Sequence, residues 1–324
     1  MNKSKILYLF TRTPLHVGAG ASVGAIDQPI QRERHTGFPI IPASSLKGSF
    51  ADHWEANLEQ GTGDKPKKFL RVTTRKNERD EEVVDQALDS AWLFGSNNDK
   101  AAFTGALQFG EARLLAFPIR SAKGSFAWIT SPLILRRAER DGVLPAGTVE
   151  KVKPPTDEQA IYDGGANSPL DLGGKIVLEE YALSQAGTVP ELLATEFAKI
   201  LLEDPVWREV SSRLVILSDG MMSFFAQNAC EIAQHVRISD ETGTAEGGAL
   251  FNQENVPSET LFYSVIHFMA GRGGAFKGKQ PQDAQDEFSA KLEGQAFQFG
   301  GDASTGLGYC TVLLGDPCAR TEPH

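Results

Sequence analysis

A glycine-rich loop borders a predicted strand at each end of this chain, and this repeated arrangement constrains the fold more than any other feature. Residues 5–12 alternate and carry large apolar side chains, which predicts a first strand ending at the Thr13–Pro14 step. The loop 18–24 follows it directly. Near the other end, residues 299–309 contain four glycines and precede a final apolar strand. Because the two ends of a domain often lie close together, we expect both loops at one edge of one sheet.

The segments between these loops change repeatedly between helical and strand periodicity, which predicts an α+β fold. Ser44 and Ser45 precede apolar residues at helical spacing, which indicates a serine-capped amphipathic helix. Residues 82–94 predict a second, short helix. Residues 105–116 predict a strand with a bulge at Gly110.

Length and composition leave one elaborated core and two domains equally open, because the 324 residues contain no clear linker. No apolar run approaches the roughly 18 residues that a membrane span requires, so we expect a cytoplasmic protein without membrane contact. The three cysteines are an odd number and lack C-x-x-C spacing. We therefore predict reduced thiols and no structural zinc.

Charge is distributed unevenly along the chain. The net charge of -10 argues against nucleic-acid binding over the whole surface. Residues 65–79 nevertheless carry seven Lys or Arg residues against one acid, Glu78, and an acidic run follows them. This basic stretch either follows a phosphate backbone or is a solvated insertion that balances the acids, and taken alone it favours the second interpretation.

The run from Gly18 to Arg34 combines the features of a phosphate-binding site. Glycines such as Gly18 and Gly20 can expose backbone N–H groups to phosphate. Arg32 and Arg34 can neutralise that phosphate, although an internal salt-bridge network with Glu33 and Asp27 is an equally reasonable arrangement. Of the two, we favour phosphate contact.

Asp27 stands alone between the glycine loop and the basic residues. A lone aspartate after glycines ordinarily forms an Asx turn or a cap. In an RNA-cleaving site it can instead help to deprotonate the 2′-OH, or hold a divalent cation beside the phosphate. His16 is the second catalytic candidate, as an acid or base, with phosphate contact or simple packing as alternatives.

Residues 236–257 intersperse glycines with polar and apolar residues, which favours a hairpin reaching toward a partner or nucleic acid. A solvated loop is the alternative. Arg237 at its base can contact RNA, and Leu250 with Phe251 can contact RNA or wedge between bases. The long stretch 141–175 is a further excursion from a compact fold.

The run PLHVGAGASVGAIDQPIQRERHTGFPIIPASSLKG at 14–48, with GGDASTGLGY at 300–309, resembles the RAMP superfamily. It is most similar to the backbone subunit of type III-B CRISPR effector complexes, the Cmr family, and residues 236–257 share this resemblance. The resemblance implies one RAMP domain over 1–324, with a modified RRM-like, ferredoxin-like palm. It also implies large insertions at about 60–82, 141–175 and 239–259, the last of them a thumb hairpin.

This resemblance implies a subunit that stacks with copies of itself in a filament along guide RNA, beside other Cmr subunits. Target RNA pairs with the guide and is cut at regular intervals. Asp27 matches the aspartate that cleaves the target. The residues implied to lie on or beside the guide backbone are Ser44, Ser45, Lys47, Gly300, Gly301, Thr305 and Gly306.

Metal dependence is compatible with a single carboxylate, since Mg²⁺ often binds through one or two carboxylates and substrate phosphate. We therefore expect Mg²⁺ or Mn²⁺ at Asp27, bound weakly without RNA. Two other functions remain open. One is a non-catalytic RNA-binding scaffold in which Asp27 only shapes its loop, and the other is a guide-processing endoribonuclease of the same superfamily.

Overall fold

Strands and helices alternate along most of the chain, which confirms a mixed α and β architecture. The computed structural model describes residues 3–20, 24–54, 58–60, 68–239, 241–272, 276–292 and 295–318. The strands are β1 (Lys3–Thr11), β2 (Ile40–Ile41), β3 (Leu58–Gln60), β4 (Lys68–Leu70), β5 (Val72–Lys76), β6 (Glu82–Ala87), β7 (Leu107–Phe109), β8 (Ala112–Ser121), β9 (Ser125–Thr130), β10 (Gln159–Ile161), β11 (Lys175–Leu178), β12 (Tyr181–Gly187), β13 (Leu214–Ile216), β14 (Glu231–Ile238), β15 (Ala245–Asn255), β16 (Leu261–Phe268), β17 (Ala296–Gln298) and β18 (Tyr309–Gly315). The helices are α1 (Ala43–Trp54), α2 (Ser90–Phe94), α3 (Pro132–Asp141), α4 (Glu191–Ile200), α5 (Val210–Arg213), α6 (Asp219–Asn228) and α7 (Pro281–Leu292).

The chain forms two compact units, each assembled from separate stretches of sequence. The larger unit takes residues 6–42, 112–264 and 296–324, and the smaller unit takes 1–5, 43–111 and 265–295. Neither unit is one contiguous stretch, which explains why no linker could be found in the sequence. The prediction of a single domain stays a prediction.

The first and last strands lie side by side, as the glycine loops led us to expect. β1 pairs antiparallel with β18, with Ile6 opposite Gly315 and Thr11 opposite Cys310. They belong to a sheet in the order β11-β12-β10-β13-β9-β8-β16-β1-β18-β17. The two predicted loops therefore leave adjacent strand ends in the larger unit.

Two helices of the larger unit, α3 and α6, begin at serine caps. Ser131 precedes Pro132 at the start of α3 and accepts from the backbone N–H of Ile134. Gly142, in the left-handed conformation, ends the same helix. Ser218 caps α6 in the same way. These caps fix the helix ends through local hydrogen bonds.

A separate two-stranded sheet, β14 with β15, forms a long hairpin in the larger unit. Val236 lies opposite Leu250, and His235 stacks on Phe251 with ring centroids 5.1 Å apart. Leu250 is 67% exposed. The hairpin therefore presents apolar side chains to solvent, which are Ile232, Val236, Ile238 and Leu250.

An aromatic cluster forms the core of the smaller unit. Phe288 of α7 is fully buried, stacks on Trp54 at 5.3 Å and meets the edges of Phe50 and Phe109. Phe50 in turn stacks on Phe109 at 5.5 Å. The apolar face predicted for the helix after Ser44 is thus the face that packs here.

Two local predictions need correction. α1 begins at Ala43, directly after Pro42, so Ser44 and Ser45 lie inside its first turn and the serine cap is wrong. The helix expected over 82–94 is a strand, β6, followed by the short helix α2, because β6 pairs with β5 as a hairpin.

The bulge predicted at Gly110 is confirmed. Phe109 of β7 lies opposite Ile266, whereas Arg113 of β8 lies opposite Tyr263, so the register against β16 changes by one residue between them. Within this step the N–H of Gly110 donates to Val265.

The basic stretch 65–79 continues into the β5–β6 hairpin, where its described side chains find acids nearby. Lys76 Nζ lies 2.5 Å from Asp80, and Arg75 Nε lies 3.3 Å from Asp85. Residues 61–67 lie outside the described part of the chain. In the described part, the stretch therefore balances the acidic run, which is the interpretation that the sequence favoured.

Two further expectations concern cysteine and membrane. Cys230, Cys310 and Cys318 form no disulfide. Burial raises the pKa of Cys230 to about 12, so its thiol stays protonated at neutral pH. Across the described ranges, none of the helices has the length and apolar character to cross a bilayer.

Replacing Phe288 with Ala should lower the free energy of unfolding of the smaller unit by about 3–5 kcal/mol, because it removes a buried ring and leaves a cavity. Urea unfolding followed by intrinsic fluorescence measures the change. Val84→Ala, at a side chain that is 47% exposed in the same unit, is the control and should stay within about 0.5 kcal/mol. Equal effects of the two substitutions would contradict a core centred on Phe288.

Candidate nucleic-acid interface

The C-terminal glycine loop is bonded through its backbone to the residues just before the N-terminal glycine loop. Gly301 N–H donates to the carbonyl of His16 at 2.9 Å, and Gly308 N–H donates to Pro14 at 2.8 Å. Gly300 has a φ of +77°, and a Cβ there would lie 2.1 Å from the His16 carbonyl oxygen. Glycine is therefore required at this position for both conformation and space.

His16 is buried at this contact, with 7% of its surface exposed. Its Nδ1 lies 2.7 Å from the backbone carbonyl of Glu254. Because a carbonyl only accepts, Nδ1 carries a proton in this contact. A Cβ on Gly18 would lie 2.9 Å from Nε2, so the N-terminal loop packs closely over the ring.

Asp27 lies on an exposed segment that pairs with the end of β15. Gln28 N–H donates to the carbonyl of Asn252 at 3.1 Å, and Glu254 N–H donates back to Gln28 at 3.0 Å. The Asp27 carboxylate accepts the backbone N–H of Asn252 through Oδ2 at 2.9 Å. The side chain is exposed, so its carboxylate also faces solvent.

Glu254 is buried, with 2% of its surface exposed, and both of its carboxylate oxygens are satisfied. Oε1 lies 2.5 Å from the Arg32 guanidinium, and Oε2 accepts the backbone N–H of Ile30 at 3.0 Å. Arg32 also donates to the carbonyls of Gly37 and Ala226. Arg32 thus belongs to an internal hydrogen-bond network. Its acidic partner is Glu254, whereas the alternative considered from the sequence paired it with Glu33 and Asp27.

Glu33 and Arg34 have opposite environments. Glu33 is buried, and Arg137 of α3 donates to both of its carboxylate oxygens, at 3.0 and 2.9 Å. Although burial opposes it, hydrogen bonds from Thr36 and Arg137 lower the pKa of Glu33. Arg34, next in the chain, is exposed. It is therefore the more exposed arginine of the predicted pair, since the Arg32 side chain is only 18% exposed.

The N-terminal run, the C-terminal glycine loop and the hairpin meet at residues 252–256, the end of β15 and the residue after it, which we term the β15 junction. Asn252 contacts Asp27, Glu254 contacts His16 and Arg32, and Gln253 donates to Asp302 in the C-terminal loop at 2.6 Å. Val256 exchanges backbone hydrogen bonds with Leu15. Sequence reasoning missed the junction, and its only signal was the polar run Asn252–Asn255 at the end of a predicted excursion.

Most of the other predicted residues of the larger unit lie on the two glycine loops. Gly20 and Gly306 have φ values of +84° and +88°, and a Cβ at either would meet nothing within 4 Å. Thr305 is exposed in the C-terminal loop, and its Oγ1 donates to Asp302. The backbone of Arg237 lies in β14, but its side chain lies outside what the structure describes.

Ser44, Ser45 and Lys47 belong to the smaller unit, in the first turns of α1. Exposed N–H groups and the helix dipole make this kind of helix start favourable for phosphate. Partial burial and the nearby Arg71 guanidinium lower the pKa of Lys47. An anion beside Lys47 would relieve that repulsion between like charges.

The donor set around Asp27 fits a cation only if RNA supplies the remaining ligands. Among the described residues, no group of three or more His, Cys, Asp or Glu side chains could hold a metal ion. One exposed carboxylate is a donor set that suits Mg²⁺ or Mn²⁺ shared with phosphate oxygens and water. The protein alone would bind such a cation weakly.

Comparison with known proteins agrees with this architecture. A family model described as RAMP superfamily matches residues 9–311. The CRISPR system Cmr endoribonuclease Cmr4 of Pyrococcus furiosus is 32% identical over 319 residues, which cover 96% of each chain. The chain belongs to the RAMP superfamily, within its Cmr4 family. Another Cmr4-family relative, the CRISPR system CMR subunit Cmr4 of Saccharolobus solfataricus, is 23% identical over 80% of this chain and 82% of its own.

Two solved structures share the fold of this chain. A crystal structure of oligomeric Cmr4 from Pyrococcus furiosus aligns with a TM-score of 0.65 and 26% identity, over 97% of this chain and 98% of that one. A chain in the cryo-EM structure of the type III-B Cmr-beta bound to cognate target RNA has a TM-score of 0.63 at 18% identity, over 96% and 97% of the two chains. The RAMP resemblance is thereby confirmed.

Gly300→Ala should destabilise the larger unit more than Gly306→Ala does. Both positions have positive φ, which costs an alanine about 1–2 kcal/mol, but only the Gly300 substitution forces a Cβ against the His16 carbonyl. We expect an additional loss of about 1–3 kcal/mol for that overlap. Urea unfolding of the two variants in parallel measures the difference, and equal stabilities would disprove the loop contact.

Proposed function

We propose that this chain is a repeated backbone subunit of a type III-B CRISPR effector complex that binds guide RNA and cleaves paired target RNA. The observation that carries the proposal is the exposed Asp27 carboxylate beside the β15 junction, where both glycine loops meet, in a chain of the Cmr4 family. The Pyrococcus relative is named an endoribonuclease. One acidic side chain per subunit would then give cuts at regular intervals along a filament.

The larger unit supplies the reacting geometry. The solvent-facing oxygen of Asp27 accepts the proton of a target 2′-OH, and the 2′ oxygen then attacks the adjacent phosphorus. The bond from phosphorus to the 5′ oxygen breaks, which yields a 2′,3′-cyclic phosphate and a 5′-OH after protonation of the leaving oxygen. A divalent cation, Mg²⁺ or Mn²⁺, would neutralise charge on the phosphate when bound beside Asp27.

His16 fits a positioning role better than proton transfer in this scheme. Its ring is buried, and its Nδ1 proton is held by the Glu254 carbonyl. The ring fills the space between the two glycine loops and so sets their separation. Arg34, which is exposed, is then the candidate for direct phosphate contact from the basic run.

The remaining assignments follow the family architecture. The larger sheet corresponds to an RRM-like palm, and the β14–β15 hairpin corresponds to a thumb whose exposed Leu250 and Val236 could distort the duplex. The first turns of α1, with Ser44, Ser45 and Lys47, hold the guide backbone. Copies of the subunit and other Cmr subunits complete the assembly, and the net charge of -10 limits unspecific RNA binding elsewhere.

A non-catalytic scaffold is the second candidate function, and one observation favours it. The Asp27 carboxylate already accepts the N–H of Asn252, as an aspartate that only shapes a loop would. In that case another subunit would cut the target. The two functions predict opposite outcomes for the same variant.

Asp27→Asn should reduce target cleavage by the reconstituted complex about 10²- to 10⁴-fold, because it removes the proton acceptor and keeps the shape. Assembly on guide RNA should persist, as measured by gel filtration. Asp204→Asn is the matched control, because Asp204 also accepts backbone N–H groups, at 2.9 and 3.0 Å. The complex with this variant should cleave the target normally. Undiminished cleavage by the Asp27 variant would favour the scaffold function. Adding EDTA in the same assay tests whether cleavage requires a divalent cation.

Lys47→Ala should weaken guide-RNA binding without changing the cleavage rate of complexes that do form. The loss of one phosphate contact should make the dependence of log K on log salt shallower by about one unit. Filter binding at several salt concentrations measures that slope. Lys100→Ala is the control, because Lys100 lies 2.5 Å from Glu82 in the same unit and is assigned no RNA contact. An unchanged slope for the Lys47 variant would contradict the proposed contact between the start of α1 and the guide backbone.

A further inference from the structure

Asp27 is held by a single residue of the opposite strand, through both its backbone and its side chain. The geometry points to Asn252 as a positioning residue, which fixes the Asp27 carboxylate with Oδ2 bound and Oδ1 available to the reacting 2′-OH. This inference rests on the proposed function, because it concerns the orientation of the catalytic carboxylate. Asn252 lies at the start of the β15 junction, in a stretch for which the sequence suggested only a hairpin.

Three hydrogen bonds make up the clamp. Asp27 N–H donates to Asn252 Oδ1 at 2.8 Å, and Asn252 N–H donates to Asp27 Oδ2 at 2.9 Å. The Asn252 amide also donates from Nδ2 to the carbonyl of Ala25 at 3.0 Å. The exchange is reciprocal, since each residue gives a backbone N–H to the side-chain oxygen of the other.

Asparagine is the residue type that this geometry requires. Its short amide carries an acceptor and a donor in one plane, so it can accept from Asp27 and donate to Ala25 at once. An aspartate would keep the acceptor, lose the donor and add a negative charge beside Asp27. An alanine would lose both bonds and leave Asp27 held only by the backbone N–H of residue 252.

The clamp sits on a rigid base. The carbonyl of Asn252 accepts the backbone N–H of Gln28, and the backbone N–H of Glu254 donates to the carbonyl of Gln28. Gln253, between them, is 2% exposed and bonds Asp302. Asn252 therefore connects the exposed carboxylate of Asp27 to the buried residues of the junction and holds it in place.

The test compares Asn252→Ala and Asp27→Asn in complexes reconstituted on guide RNA. Single-turnover cleavage at saturating target is measured in parallel with assembly and target affinity, which separates the chemical step from binding. Gln234→Ala is the matched control, because Gln234 is the cross-strand partner of Asn252 and belongs to the same hairpin.

We expect Asn252→Ala to cleave about 10- to 100-fold more slowly with unchanged assembly and target affinity, since a small misplacement of a reacting group has effects of this size. Gln234→Ala should match the wild type in every measurement.

Each outcome bears on a distinct claim. If Asp27→Asn abolishes cleavage while Asn252→Ala cleaves at the wild-type rate, the positioning role is wrong and the proposed function stands. Loss of assembly or of target affinity by Asn252→Ala would likewise overturn the positioning role. If Asp27→Asn cleaves normally, the proposed function fails and the positioning role fails with it.

Discussion

A carboxylate buried at the end of β15 needs donors from other segments, because an unpaired charge in the protein interior costs several kcal/mol. Glu254 obtains them from the Arg32 guanidinium and from the backbone N–H of Ile30, while its own carbonyl receives the proton of His16. Removing any one partner would leave a buried group unsatisfied. The N-terminal run is therefore held against the hairpin strand by polar contacts that cannot be exchanged for water.

The glycine loops depend on this arrangement. Gly18 and Gly300 allow the two loops to pack against the ring and the carbonyl of His16, and a side chain at either position would collide with that residue. His16 is bonded to the backbone carbonyl of Glu254, so the position of this buried residue also sets the spacing of the loops. Exposed backbone N–H groups at a fixed spacing are what a phosphate backbone requires.

Asp27 illustrates how an exposed reactive group can still be well positioned. Its side chain faces solvent, yet Asn252 binds both its backbone and one carboxylate oxygen. The rigidity comes from the buried residues on either side of Asn252 and from Gln28. An exposed carboxylate without such support would sample many orientations, and that freedom would have to be lost in the transition state.

The sequence by itself determined the pairing of the end strands, the two glycine loops, the amphipathic face of α1 and the family, because strand periodicity, glycine and local motifs are encoded by near neighbours. It could not assign Arg32, since both phosphate and an internal acid were plausible partners, nor could it find Asn252 or Glu254 among the polar residues of an excursion. It also placed a helix at 82–94, where pairing with β5 makes Glu82–Ala87 a strand. Only the tertiary structure decided these points, because Arg32 and Glu254 are 222 positions apart and Asp27 and Asn252 are 225 apart. Partners at such separations leave no periodic signal in the chain, and burial determines which of them must pair.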